Sequence, residues 1–311
     1  MPSRPDVLVL GGGGVLGEAW MMGVLGGLED ADRIDMRHAE YFIGTSAGAI
    51  VAAHLAAGKT PRRPDPDGLG GGGPAAAPAE PASRLGAAGA RAAHLTGEWA
   101  LAAAGTFAPL ALGLATPGGA LARAALLRRL PRPQQTLDGL HEHVAASGVR
   151  FDGRLRVTAV ERRSGRRVVF GSPGAPAATV ADAVTASCSV PWLFEPIEIG
   201  GREYVDGGVW SGTNMDVAPA GRGSLVLCLN PTANLPGTGS ILSVFRRVSR
   251  SAAAVEALAL RRRGATVRTF GPSAESAAEM GVNLMDRRRA RRVLAAGYRQ
   301  GQQIAEHARA A

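Results

Sequence analysis

Residues 7–20 read VLVLGGGGVLGEAW, and this stretch indicates the fold. A short apolar run is followed by four glycines and then by a helix-like sequence. Short apolar runs that end in glycine are typical of buried strands. Gly12, Gly14 and Gly17 match G-x-G-x-x-G, a strand–turn–helix pattern that points backbone N–H groups at an anion. The pattern leaves open whether that anion is a dinucleotide pyrophosphate or a charge that develops during a reaction.

A second strand–helix unit follows directly. Residues 41–43 predict another buried strand, which continues into GTSAG at residues 44–48, and residues 49–57 predict an apolar helix. Two successive strand–helix units predict a right-handed parallel α/β arrangement. Further elements are predicted at RLRVTAV, RRVVF and SLVLCLN (strands), TVADAVTASCSV (a helix that Pro191 ends), and residues 283–311 (a basic helix). The fold class predicted from these elements is α/β with a mostly parallel central sheet.

The 311 residues, 46% of them hydrophobic, suit one large α/β domain with insertions or two small domains. We predict a single domain over residues 1–311. Residues 60–130 differ in composition and predict an insertion within it, first a Pro/Gly/Ala-rich linker and then an apolar segment. Residues 99–122 form a stretch without charge that is long enough for a membrane span. Alanine, glycine and two prolines favour instead a lid-like or interfacial segment, or a buried insertion.

The net charge is +9, and all but one of the 35 basic residues are arginine. A high-GC codon bias would explain the excess of arginine, and the functional alternative is peripheral attraction to an anionic membrane surface. Nucleic acid is not expected, because the chain has neither zinc-ligand spacing nor a basic ribbon rich in aromatic residues. Two cysteines do not form a disulfide framework, and residues 1–14 lack the apolar core of a signal peptide. We therefore expect a cytoplasmic chain, with peripheral membrane contact.

The GTSAG sequence predicts a nucleophilic serine at Ser46. A serine hydroxyl becomes reactive when a sharp turn exposes it and a base takes its proton. Gly44 and Gly48, two residues to either side, would let the strand and helix approach each other. The helix that follows would place its N-terminal dipole at Ser46. The alternative interpretation is a serine that caps the helix.

The base is predicted to be an aspartate. None of the six histidines follows a late strand, where a serine hydrolase of the α/β-hydrolase type would place its base. Asp206 ends a short strand and precedes Gly207 and Gly208, so a tight turn could bring it close to another backbone segment. An aspartate with reduced hydration is a stronger base than one in water. A Ser46–Asp206 dyad is therefore chemically reasonable.

The glycine loop would then form an oxyanion hole, with backbone N–H groups of Gly12, Gly13 and Gly14. The dinucleotide interpretation needs an acidic residue at the end of the second strand, and that strand ends instead in the Ser46 turn. This argues against a nucleotide-binding oxidoreductase. That enzyme and a catalytically idle lipid-binding protein remain the alternatives, and the hydrolase needs no cofactor or metal.

The order of these motifs resembles the patatin-like phospholipase family. The likeness covers about residues 6–58 and 150–275 and includes ASCSVPWLFEPIEIGGREYVDGGV, residues 186–209. The resemblance implies a three-layer α/β/α fold and a Ser–Asp dyad that cleaves acyl esters of lipids. The residues it implies are the nucleophile Ser46, the base Asp206, the oxyanion-hole glycines Gly12, Gly13 and Gly14, and the supporting glycines Gly17, Gly44, Gly48, Gly207 and Gly208.

One position departs from the family pattern. The family often has a basic residue just before the last glycine of the first motif, and this chain has Leu16 there. If that cation contacts a phosphate, its replacement weakens the expectation of a phospholipid substrate over a neutral lipid ester.

Overall fold

A computed structural model of the chain describes residues 4–65, 119–234 and 240–310. The strands, in chain order, are β1 Val7–Leu10, β2 Tyr41–Thr45, β3 Leu155–Glu161, β4 Arg167–Phe170, β5 Ile197–Ile199, β6 Arg202–Asp206, β7 Leu225–Leu229 and β8 Thr266–Phe270. The helices are α1 Gly14–Asp32, α2 Ala47–Ala56, α3 Gly119–Arg129, α4 Asp138–Ala146, α5 Val180–Cys188, α6 Ser240–Arg262, α7 Ala274–Met280 and α8 Ala290–Ala310.

The strands form one mixed sheet with a parallel centre. Its order is β5-β6-β3-β2-β1-β7-β8, and β4 pairs with β3 outside this path. The pairs among β3, β2, β1, β7 and β8 are parallel, whereas β4, β5 and β6 pair antiparallel. The predicted α/β class with a mostly parallel central sheet is confirmed.

Helices cover both faces of the sheet, and β1 shows why. Leu8 and Leu10 point into a core shared with α1, α2, α5 and α8, whereas Val7 and Val9 point into a second core shared with α6. Successive strand side chains alternate between faces, so a strand buried on both sides reads as a continuous apolar run. The arrangement is three-layered, α/β/α.

Helices α1 and α8 pack with their backbones close together. A side chain at Gly23 or Gly27 would collide with the α8 backbone, and one at Gly297 or Gly301 with the α1 backbone. The four glycines therefore allow an approach that larger residues would prevent. This contact holds the C-terminal part of the chain against the helix that follows the glycine loop.

The predicted helix over residues 283–311 was wrong in its first part, because α8 begins at Ala290. Residues 281–289 are irregular, with a 3-10 turn at Arg287–Arg289 that the Asp286 side chain caps by accepting from the Arg288 amide. The Leu284 carbonyl accepts from the Leu16 amide at 3.0 Å. The Leu284 carbonyl is therefore bonded to α1 instead of to an amide within its own segment.

The predicted insertion lies largely outside the described residues. Residues 60–65 and 119–130 are described, and the latter contain α3, whereas the linker and nearly all of the apolar segment at residues 99–122 fall between them. Among the described residues, no helix combines the length and apolar character needed to cross a bilayer.

Candidate active site

Ser46 stands on a strained turn between β2 and α2. Its φ is 53° and its ψ is −122°, a positive-φ conformation that costs about 1–3 kcal/mol for a residue other than glycine. A side chain at Gly48 would collide with the Leu10 carbonyl, and one at Gly44 with the Ala49 backbone. The small residues on either side therefore let the strand and helix close tightly around the Ser46 turn.

Strands β2 and β6 run toward each other along one side of β3. Thr45 of β2 pairs with Thr158, and Asp206 of β6 pairs with the next residue, Ala159. Strand β2 is parallel to β3 and β6 is antiparallel to it, so both strands end at this point. Their carboxyl ends, which carry Ser46 and Asp206, therefore meet although 160 residues separate them.

Asp206 is buried, with 5% of its surface exposed. Its Oδ1 accepts a hydrogen bond from the Gly208 amide at 2.6 Å. Burial raises the pKa of the Asp206 carboxyl to about 6, and hydrogen bonds from the Gly208 amide and the Ser46 side chain act in the opposite direction. The structure thus pairs the Ser46 hydroxyl with a carboxylate that is a stronger base than an exposed one.

The end of helix α5 supports both turns. The Ser187 hydroxyl accepts from the Ser46 amide at 2.8 Å, and the Ser189 carbonyl accepts from the Asp206 amide at 2.9 Å. Burial, together with the charge of Asp206, raises the pKa of the nearby Cys188 thiol well above its usual range. A thiol with a raised pKa is held mostly as the less reactive protonated form, so Cys188 is a poor nucleophile here.

The glycine loop lies directly against Ser46. A Cβ placed on Gly12 would stand 3.4 Å from the Cβ of Ser46, and the Gly12 amide donates to the Gly212 carbonyl at 2.8 Å. Gly13 caps α1, and Gly14 is its first residue, with a φ of 59°. Of the three predicted oxyanion donors, Gly12 has its amide engaged by a carbonyl, whereas Gly13 and Gly14 stand at the positive end of a helix.

The supporting glycines make close contacts. Gly17 packs on the Pro231 ring, and Gly207 lies so close to the Thr158 carbonyl that a side chain would collide with it. Gly208 supplies the amide that binds Asp206. Leu16, the departure from the family pattern, is fully buried in the core, so its side chain takes no part in contacting a polar group.

A buried polar network behind the site was not predicted. The Asn214 amide group donates to Thr45 Oγ1 at 3.1 Å and to the Gly207 carbonyl at 3.2 Å, so it joins the serine turn to the aspartate turn. Glu256 of α6 accepts from Thr213 Oγ1 at 2.5 Å and from the Met215 amide at 2.8 Å. In sequence, Asn214 resembles an ordinary turn residue, and nothing links Glu256 to it.

An arginine–tryptophan contact attaches α3 to the loop after Asp206. The guanidinium of Arg123 lies 4.1 Å from the Trp210 ring centre and that of Arg167 lies 5.0 Å from it. Burial and the charge of Arg167 lower the pKa of Arg123 to about 10. Arg167 also forms a two-pronged salt bridge with Asp216, with both distances 2.7 Å. The loop is therefore held from two sides.

The remaining ionisable residues form no second centre among the described parts of the chain. His54 bonds to the Thr60 carbonyl and His141 pairs with Asp182, away from Ser46. Over the same ranges there is no group of three or more His, Cys, Asp and Glu residues arranged to hold a metal ion.

Comparison with known proteins identifies a family for this chain. The family model described as Patatin-like phospholipase matches residues 8–68 and 69–219, which together exceed half of the chain. No curated protein matches the chain. VipD from Legionella pneumophila is a solved structure similar to it, with 15% identity, a TM-score of 0.44, and coverage of 98% of this chain and 67% of VipD. From the family match, the chain belongs to the patatin-like phospholipase family, whose general activity is the hydrolysis of lipid acyl esters.

Proposed function

We propose that this chain is a serine hydrolase of fatty-acyl esters in phospholipids or related lipids, with Ser46 as nucleophile and Asp206 as base. The observation that supports this most is the pairing of a serine on a positive-φ turn with a buried aspartate whose pKa is raised to about 6. The strained turn exposes the hydroxyl, and the aspartate is ionised at neutral pH yet basic enough to accept its proton.

The reaction would take place in two halves. Ser46 Oγ attacks the ester carbonyl while its proton passes to Asp206, and the tetrahedral intermediate expels the alcohol, which takes that proton. A water molecule then gives its proton to Asp206 and attacks the acyl-enzyme carbonyl. Collapse of the second intermediate releases the fatty acid and returns the proton to Ser46 Oγ. Asp206 is unchanged at the end of the cycle.

The amides of Gly13 and Gly14 are the donors we assign to the oxyanion. They stand at the N-terminus of α1, where the helix dipole favours negative charge. The Gly12 amide would have to leave the Gly212 carbonyl before it could contribute. The close contact of Gly12 with Ser46 instead keeps the approach to the nucleophile free of side chains.

A cavity of about 170 Å³ beside α2 is our candidate for the acyl chain. Its lining combines the apolar residues Met22, Ile50, Ala53 and Val144 with six polar ones, Glu18, His54, Lys59, Arg62, His143 and Ser147. Ile50 lies about one helical turn beyond Ser46, so a chain esterified to the serine can follow the α2 surface into this cavity.

The test uses a series of p-nitrophenyl acyl esters and a fluorophosphonate probe that labels reactive serines. We expect wild type to hydrolyse the esters and to be labelled, and Ser46→Ala and Asp206→Asn to lose turnover by about 10⁴-fold or more. Ser172→Ala and Asp152→Asn are matched controls, since Asp152 precedes β3 and Ser172 follows β4, at the end of these strands away from Ser46. Folded wild type that is neither labelled nor active would refute the proposal and favour an idle lipid-binding protein.

A nucleotide-binding oxidoreductase is disfavoured by the end of β2. That strand passes from Thr45 directly into the Ser46 turn, and no carboxylate stands there to bind a ribose. NAD binding that persists in Ser46→Ala would reinstate that alternative.

A further inference from the structure

Residues 281–292, which join α7 to the first turn of α8, lie at the edge of the glycine loop. The Leu284 carbonyl accepts from the Leu16 amide at 3.0 Å, and the Met285 sulfur lies against Gly14. This segment therefore borders the entrance to the site where an ester would approach Ser46. We refer to residues 281–292 as the docking segment.

The docking segment exposes two large apolar side chains beside that entrance. Val282 is 53% exposed and Met285 is 39% exposed, whereas Leu284 between them packs against the core. A single exposed apolar residue is ordinary, but two that flank an anchored residue at the mouth of a site form a small apolar tip.

The docking segment also contains five arginines and only one aspartate. Arg289 pairs with Asp286 at 3.5 Å, and Arg292 pairs with Glu279 at 3.4 Å. Arg287, Arg288 and Arg291 are exposed and form no ion pair within the described ranges. The segment therefore presents uncompensated positive charge next to its apolar side chains.

This combination matches an anionic lipid surface. Arginines gain from the surface potential and from lipid phosphates, and short apolar side chains can insert among the headgroups. Single-stranded nucleic acid would require aromatic side chains for base stacking, and the docking segment has none.

We propose that the docking segment binds the chain to an anionic bilayer, with Val282 and Met285 inserted and Arg287, Arg288 and Arg291 on the lipid phosphates. This inference rests on the proposed function, because it turns the Ser46 entrance toward a membrane that holds the substrate. It assigns the charge-driven attraction expected from the sequence to one surface, rather than to the arginines as a whole.

The experiment measures flotation of the full chain with phosphatidylcholine vesicles, with and without phosphatidylglycerol. All binding variants carry Ser46→Ala, so that the vesicles stay intact. Replacing Arg287, Arg288 and Arg291 by Gln should weaken binding to anionic vesicles on the order of 100-fold, at about fivefold per arginine. Val282→Ser with Met285→Ser should weaken it independently, and added salt should reduce binding.

The matched control replaces Arg150, Arg222 and Arg262 by Gln. These exposed arginines lie near the amino-terminal ends of the parallel strands, away from Ser46. Their replacement removes the same amount of charge as the docking-segment variant does. The control should bind vesicles within a few-fold of the parent. Equal loss of vesicle binding in both triple variants would overturn the proposal. Unchanged vesicle binding by a docking-segment variant whose urea midpoint shows that it is folded would overturn it as well.

Two further readouts separate the possible failures. Binding of a single-stranded oligonucleotide through the same arginines, without vesicle binding, would overturn the lipid assignment. Turnover of soluble p-nitrophenyl butyrate by wild type tests the proposed function alone. Arginine-dependent vesicle binding by a chain without this turnover would keep the docking surface and reject the hydrolase.

Discussion

Replacing Asp206 by Asn should make the chain more stable at neutral and alkaline pH while it abolishes turnover. Burial raises the pKa of this carboxyl from 3.8 to about 6 in the folded state. Between these values the folded chain binds more protons than the unfolded chain, so stability falls as pH rises through this window. A shift of about two units at about 1.4 kcal/mol each corresponds to about 3 kcal/mol of stability lost above pH 6.

Asn removes the charge and retains an oxygen that can accept from the Gly208 amide, which lies 2.6 Å from Asp206 Oδ1. The variant should therefore exceed wild type by up to about 3 kcal/mol at pH 8, and the difference should shrink to about 0.5 kcal/mol at pH 4. Urea unfolding at one-unit intervals from pH 4 to 8 measures this directly. Other titrating groups are common to both chains and cancel in the difference.

Asp152→Asn is the control, because Asp152 is exposed and bound to Arg154. Burial by itself would raise the pKa of Asp152, but hydrogen bonds from Arg154 and its charge outweigh burial, so the pKa is lowered. This control should bring no gain at pH 8. An Asp206→Asn variant that is no more stable than wild type at pH 8, or whose difference from wild type is the same at pH 4, would show that burial does not raise the pKa of Asp206. The proposed strength of the base would then have no basis.

Four other outcomes are expected. The kcat/KM for a soluble ester should rise about tenfold per pH unit up to the Asp206 pKa near 6 and then level off, and a profile that is flat between pH 4 and 7 would contradict this. Asn214→Ala should lower kcat and the rate of fluorophosphonate labelling with little change in KM, since it removes the link between the two turns; unchanged labelling would show that the link is dispensable. Gly48→Ala should cost about 3 kcal/mol or more in unfolding free energy because its methyl would meet the Leu10 carbonyl. Gly221→Ala should be tolerated, because its methyl would make only an ordinary contact with the Arg263 carbonyl, at 3.9 Å. Ile50→Trp should lower kcat/KM for long-chain esters more than for butyrate, and equal loss across the series would place the acyl chain elsewhere.

Much of the fold could be predicted from local patterns. Strand β1 is buried on both faces, so its four apolar residues read as a strand without any knowledge of their partners. The glycines around Ser46 are also local, because the need for small residues arises from a strand and helix that adjoin in sequence. The helix predicted over residues 283–311 failed at its start, because the Leu284 carbonyl bonds to the Leu16 amide of a distant helix.

The sequence by itself determined the kinds of residue available: a serine in a tight glycine-flanked turn, an aspartate before two glycines, and a glycine loop after a strand. Only the tertiary structure decided how they combine. Ser46 and Asp206 meet because β2 and β6 end head to head beside β3, and strand direction depends on pairing with distant partners. Two hydrogen bonds also depend on the tertiary structure alone: the one from the Gly12 amide to the Gly212 carbonyl, and the one by which Asn214 joins the two turns. They span some 200 and 170 residues, and contacts at such separations leave no local pattern in the sequence.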